Sequence, residues 1–394
     1  MLTATSHRFF RLLAIVWAGL LAGCGNLVPI NIPYAQIEAD PESWTMLGGN
    51  PQHTHSISYD VAPPLNIAWK KSVPSVVTDH PLAAGGYLFL TTYNGMLFTL
   101  NVSSRDVLAK GRFGPSLIHV PALYKSLLFA GMNIGKKTLI AYDLSQAKAV
   151  LQGEYPPVTT APLIDQNRVY FGTYAGLFFC ATAGTAKELW RYKAARSIHS
   201  SPALQGRRLF FGDDAGFVYA LEARHGRELW KHPFNGSVFV HPVISDSTVF
   251  IGTVAGELAA LDVQTGKVRW QLSLDGSIYG GPSVFGNDLY LGTNAHQVLA
   301  VDKHTGTIRW QFQTEGIVNT VPLASPNYLY VTCWDGRLYV LDRHSGELVD
   351  EQAFSRPLKS SPIIYQNLIF IHIANKQLVA LEGKPSILSR DDRP

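Results

Sequence analysis

The sequence predicts an all-β fold: an eight-bladed β-propeller of four-stranded antiparallel blades, closed by the N-terminal strand completing the last blade. Three observations predict it. The pattern A-x-D-x-x-T-G-x-x-x-W is written over 260–270 and again over 300–310, 40 residues later. A proline recurs at Pro81, Pro121, Pro162, Pro202, Pro242, Pro282, Pro322 and Pro362, with one step of 41 and the rest of 40. Between the prolines lie short apolar runs punctuated by glycine turns. A fixed period near 40 residues with regular strand and turn signals marks a propeller or related array.

Length fits this reading. A chain of 394 residues is long for a single core, but a repeat array grows by adding units that contact mainly their neighbours. Hydrophobic residues make up 46% and charged residues only 16%, which excludes disorder. Net charge is +4, and Arg8 and Arg11 are the only charges in 1–23, leaving +2 for the rest. That balance gives no footprint for nucleic acid.

Taken in order, the chain begins with a basic stretch of His7, Arg8 and Arg11. A ten-residue apolar stretch over 12–21 follows, too short for a stable transmembrane helix. It runs into Leu21-Ala22-Gly23-Cys24, which resembles a bacterial lipobox. Residues 1–23 therefore read as a lipoprotein signal peptide and Cys24 as the lipidated new N-terminus. Gly25 and Asn26, with no Asp after the cysteine, resemble outer-membrane sorting. Residues 24–60 read as a lipidated tether and lead-in, with Pro29, Pro33 and Pro41 in a stretch of no clear period. Within it, 44–54 reads W-x-x-x-G-x-N-x-x-H-T, and His53 reads as a capping residue in a turn.

Residues 61–383 form the ring. Each proline opens a short innermost strand, where a first residue need not donate to the ladder. A second strand, a glycine turn, a third strand, a Thr-Gly turn and an outer strand follow. Gly266 and Gly306 supply positive φ for the tight turn. Asp262, Thr265, Asp302 and Thr305 are placed to hydrogen-bond it. Trp270 and Trp310 project from the outer strand and are expected to wedge between sheets, as are Trp190 and Trp230 in worn copies. Blade seven keeps Asp342 and Gly346 but carries Asp350 at the tryptophan position. After Pro362 only three strands remain, while Trp69 sits at an outer-strand position ahead of Pro81. The N-terminal strand is therefore expected to complete the last blade and remove an open edge. Residues 384–394 read as a polar tail. Cys180 and Cys333 fall in opposed blades, beyond the roughly 7 Å that a disulfide spans, and are expected to be free and buried.

Residues just before each proline should line one mouth of the channel, because inner strands face the axis. They include His80, His119, His199 and His241, with Asp79, Tyr279, Asn319 and Lys359. His80 and His241 lie four blades apart. That is far for metal ligands, which need bonds of roughly 2.0–2.2 Å, so a wet funnel is the simpler reading and no metal is expected. No phosphate-cradling glycine loop, HExxH helix or Ser/His/Asp order occurs.

The repeated run resembles the tryptophan-docking motif of pyrroloquinoline-quinone (PQQ) type propellers, over about residues 44–383. With the lipobox, the chain resembles the BamB family of outer-membrane assembly lipoproteins. The resemblance implies a non-enzymatic scaffold, lipid-anchored in the outer membrane and facing the periplasm. It implies protein partners, a BamA-type barrel insertase among them, and no cofactor. In that family the partner surface lies in loops ahead of the proline of two adjacent blades, with Arg in one and acids in the next. Arg196, ahead of Pro202, is the candidate contact; the next blade offers 237–241 without an acid. Quinoprotein dehydrogenases share the blade motif, but their vicinal Cys-Cys pair and calcium cluster have no counterpart in this sequence. The alternative is a ligand-binding or accessory quinoprotein-like propeller that uses the axial funnel.

Overall fold

The computed structural model describes residues 29–384 apart from 34, 36, 38, 39, 74 and 375. The signal segment, Cys24 and the tail from 385 lie outside the described residues. Eight four-stranded antiparallel sheets form a ring. Blade five is typical: Val243–Ser245 innermost, then Thr248–Gly252, Glu257–Asp262 and Val268–Ser273.

Burial along a blade departs from simple alternation. The second and third strands are buried almost continuously, and only the outer strand alternates. The reason is geometric. Each inner sheet is covered on both faces by its neighbours, so both side-chain rows face apolar surface. The outer strand splays away and exposes one row. It also carries a bulge just before the tryptophan, where Trp270 pairs with Ala260 and Val268 with Leu261.

The turn motif is held by its own side chains. Asp262 Oδ1 accepts from Gln264 N at 3.0 Å, from Thr265 N at 2.9 Å and from Thr265 Oγ1 at 2.9 Å. Asp302 repeats the pattern with His304 N at 2.8 Å and Thr305 N at 2.9 Å. Arg269, at 2.7 Å, is the leading cause that pulls the Asp262 carboxyl down to about 2. The tryptophan acts on the following blade rather than its own. The Trp190, Trp230, Trp270 and Trp310 indoles donate to Ala223 O (3.2 Å), Val263 O (3.1 Å), Lys303 O (2.9 Å) and Arg343 O (3.0 Å). Each ring lies flat on the turn glycine of that next blade. At Gly266, φ is +67° and an added Cβ would stand 2.5 Å from the Trp230 ring. Glycine is thus required twice over, for conformation and for room.

Closure runs through the N-terminus. Asn66–Ser72 pairs with Gln377–Glu382, Trp69 opposite Ala380, with the same bulge before the tryptophan. Asp350 takes part in this seam: its Oδ2 accepts from Leu65 N at 2.6 Å, while Gln352 Nε2 donates to Leu65 O at 3.0 Å. Trp69 is buried, yet its indole N–H has no partner. The docking turn it faces, in blade one, carries Arg105 at φ 63° where the other blades have glycine. Cys180 and Cys333 are both buried and free.

The lead-in is part of the folded body. Residues 44–57 wind inside the ring and bond to the innermost strands. Ala83 exchanges both backbone bonds with Trp44 (2.8 and 3.0 Å). Backbone N–H groups of Leu123, Leu204, Ile244 and Val284 donate to Thr45 O (2.7 Å), Pro51 O (2.8 Å), Gln52 O (3.0 Å) and Thr54 O (2.9 Å). Ile57 N donates to Ala324 O at 3.0 Å, and the Trp44 indole to Ile364 O at 2.9 Å. The innermost strand of every sheet has one edge with no strand beside it. An unpaired buried N–H there is costly, and the plug supplies its acceptor. The lead-in motif is the plug's own chemistry. Asn50 Oδ1 holds the turn by accepting from Gln52 N (3.1 Å) and Thr54 N (3.2 Å). Gly48 leaves space for the His53 backbone, 2.7 Å from where a Cβ would sit.

Candidate functional site: the axial funnel and its rim

The plug divides the channel. On one face lie the Thr-Gly turns and the hairpins that follow the inner strands; this is the turn face. On the other lie the loops that lead into each proline, and the funnel opens there. It has a volume of about 250 Å³ and is floored by Leu47 of the plug. The loops are fixed by one recurring bond, from the turn between second and third strands to the loop 17 residues earlier. Examples are Tyr174 N to Pro157 O (3.0 Å), Asp214 N to Ser197 O (3.0 Å) and Trp334 N to Ile317 O (3.0 Å).

The structure brings His119, His199 and His241 to the funnel wall, with Asp79, Asn319 and Lys359. His80 is not on that wall, a correction to the reading from spacing. It is only 3% exposed, lies under the plug, and its Nε2 accepts from Gly48 N at 3.2 Å while Nδ1 donates to Pro81 O at 2.9 Å. Its ring meets the edges of Trp44 and His55. His53 is also buried rather than capping an open turn; it packs edge-on to His241 at 4.8 Å. Burial pushes the imidazoles of His53 and His55 well down, and those of His119 and His241 to about 4. These rings are neutral donors and acceptors at neutral pH. Among the described residues no group of three or more His, Cys, Asp or Glu is placed to hold a metal ion.

The rim is apolar and aromatic. Tyr174 is 64% exposed, Tyr279 45%, Tyr93 43% and Phe239 37%. His199 stands between Tyr174 and Phe239 and pairs with Asp214 at 2.9 Å. Arg196 is exposed beside them. Its backbone N donates to Asp213 Oδ2 at 3.0 Å, and the fully buried Asp213 also accepts from Tyr219 OH at 2.9 Å. The loop that presents Arg196 is therefore anchored to the interior of blade four. Reading only the positions before each proline missed Tyr174, Asp214 and Trp334. They share one place in the repeat, one period apart, and that periodicity was the signal available for them. Asp214 also places an acid next to this rim, although the loop at 237–241 has none.

The fold and this fixed rim define a tryptophan-docked propeller with one plugged and one open face. The family model described as outer membrane protein assembly factor BamB matches residues 62–232 and 214–380. The chain belongs to that family. The crystal structure of BamB from Moraxella catarrhalis is 16% identical, with a TM-score of 0.66 over 81% of this chain and 99% of that one. The computationally designed Ika8 protein is 14% identical at TM-score 0.71, over 79% and 98%. Quinohemoprotein alcohol dehydrogenase ADHIIG from Pseudomonas putida HK5 is 13% identical at TM-score 0.77, over 93% and 84%. At these identities the likenesses show the fold. No curated protein matches the chain by sequence.

The quinoprotein neighbours raise the question of a PQQ cofactor. PQQ is a planar tricarboxylate and needs cationic partners. Among the funnel-lining residues Lys359 is the only lysine or arginine; it lies over the Trp334 ring at 4.2 Å, and Asp79 shares the wall. The neutral histidines add no charge, and the plug closes the floor. These residues do not fit the cofactor.

Proposed function

We propose that the chain is a non-enzymatic lipoprotein scaffold, anchored through Cys24 in the outer membrane and facing the periplasm. It assists assembly of outer-membrane β-barrels by binding a BamA-type insertase through the funnel-face rim. The observation that carries this reading is the rigidly presented rim itself. Exposed tyrosines and a phenylalanine surround Arg196, and such aromatic and arginine side chains dominate protein interfaces. Membership of the family supports it. Pull-down of insertase components with the membrane-extracted protein tests it. Arg196→Glu combined with Tyr174→Ala should weaken capture about 30-fold, the scale of losing a hot spot of ~2 kcal/mol. Unchanged capture by a folded double variant rejects this surface.

One observation favours a second reading, a propeller that takes a small ligand in the funnel. His241 Nε2 and Asn319 Oδ1 belong to the funnel lining and are buried without partners. Native mass spectrometry of the extracted protein separates the two readings, because a retained small molecule belongs only to the second.

A further inference from the structure

The turn face carries a basic groove that the rim does not explain. Between blades three and four a groove of about 620 Å³ is lined by Arg168, Arg207, Arg224 and Arg227, with two carboxylates, Asp165 and Glu222. Glu222 is occupied within its own turn, accepting from Arg224 N, His225 N and His225 Nδ1. Arg168 Nη1 donates to Arg224 O at 3.0 Å. Arg207, Arg224 and Arg227 are exposed, and among the described residues none of them forms an ion pair.

The N-terminal segment leaves the domain on this same face. Ile30 N donates to Leu144 O at 2.7 Å, in the turn between third and outer strands of blade two. Ile32 packs over the hairpin glycine Gly85 of blade one. Asp165 and Gln166 line the arginine groove and also the neighbouring groove under Ile37, Asp40 and Met46. Groove and tether are therefore continuous. Five residues separate Cys24 from Pro29, a reach of no more than roughly 18 Å when fully extended.

We propose that the arginine groove of blades three and four docks on an anionic phospholipid surface, so that the turn face lies against the membrane and the funnel face points away. The proposal rests on the reading of Cys24 as the lipid anchor. That anchor holds the groove close to the headgroups, and guanidinium groups bind phosphates by forked hydrogen bonds. The insertase-binding rim is then presented toward the periplasm without further machinery.

The test uses the full lipidated protein on two kinds of vesicle. Flotation with neutral phosphatidylcholine vesicles reports the anchor alone. Hydrogen exchange of the turns at 206–208 and 223–227 reports the groove. The expected result is flotation on neutral vesicles, with slower exchange in both turns only when phosphatidylglycerol is added. Molar salt should restore fast exchange, because screening then acts within about 3 Å. Each arginine is expected to favour the docked orientation about fivefold, so Arg207→Glu with Arg227→Glu should abolish the difference between vesicles. Flotation on both vesicles with equal exchange overturns the groove and leaves the anchor standing. Failure to float on neutral vesicles removes the anchor; flotation on anionic vesicles that needs the two arginines then supports the groove, and its absence overturns both. Slowing by inorganic phosphate on neutral vesicles would overturn the lipid in favour of a soluble anion.

Discussion

Replacing Trp230 by alanine should lower the unfolding free energy by about 3–5 kcal/mol, the range for large aromatic truncations in a core. The indole is buried, rests on Gly266 and donates to Val263 O in the next blade. Its loss opens a gap between two sheets and strips the acceptor of its partner. Equilibrium denaturation measures the loss. Gly266→Ala should act on the same joint from the other side, since its Cβ would stand against the ring and its φ is positive. The reverse change is expected to help in blade one. Arg105→Gly relieves a positive φ under the unpartnered Trp69 and should gain about 1 kcal/mol. A loss on Arg105→Gly would mean that this arginine, despite its backbone conformation, is itself a support of the closing seam.

Removing Trp44 should be as costly, about 3–5 kcal/mol, although it lies outside every repeat. It is 3% exposed, bonds to Ile364 O, and packs edge-on to His55 and His80. The same plug gives the protein an acid limit. Burial depresses His53, His55 and His80 on and under the plug, and His241 beside it to about 4, while Asp79 alone among their neighbours favours protonation of His80. The unfolded chain takes up these protons near pH 6.5, before the folded one does. Stability is therefore full above about pH 6.5 and falls as pH drops toward 4. A protonated His80 would also turn an N–H toward the Gly48 N–H that it now accepts. Melting temperature against pH checks this, and a flat profile between pH 7 and 4 would show that the plug does not hold neutral imidazoles.

The candidate site was only partly legible. His119, His199 and His241 reach the funnel because their distance from a repeated proline sets their place on the axis. His80 shares that spacing and is buried, because the plug covers it. Arg196 was found through its loop, but Tyr174 and Asp214 lie on a different turn and join it only in the folded rim.

The repeat period, the four-strand unit and the borrowed N-terminal strand were determined by the amino-acid order alone. They depend on turns closed by Asp, Thr and Gly within five residues and on apolar runs of strand length, and such local chemistry is written where it acts. Tertiary structure alone decided which blade each tryptophan grips, that the lead-in fills the channel, that Asp350 holds the seam at Leu65, and that the tether and the arginine groove share one face. Those outcomes join residues tens to hundreds of positions apart. They follow from closing a ring, which brings unpaired inner edges and distant blades to a common axis that no local pattern encodes.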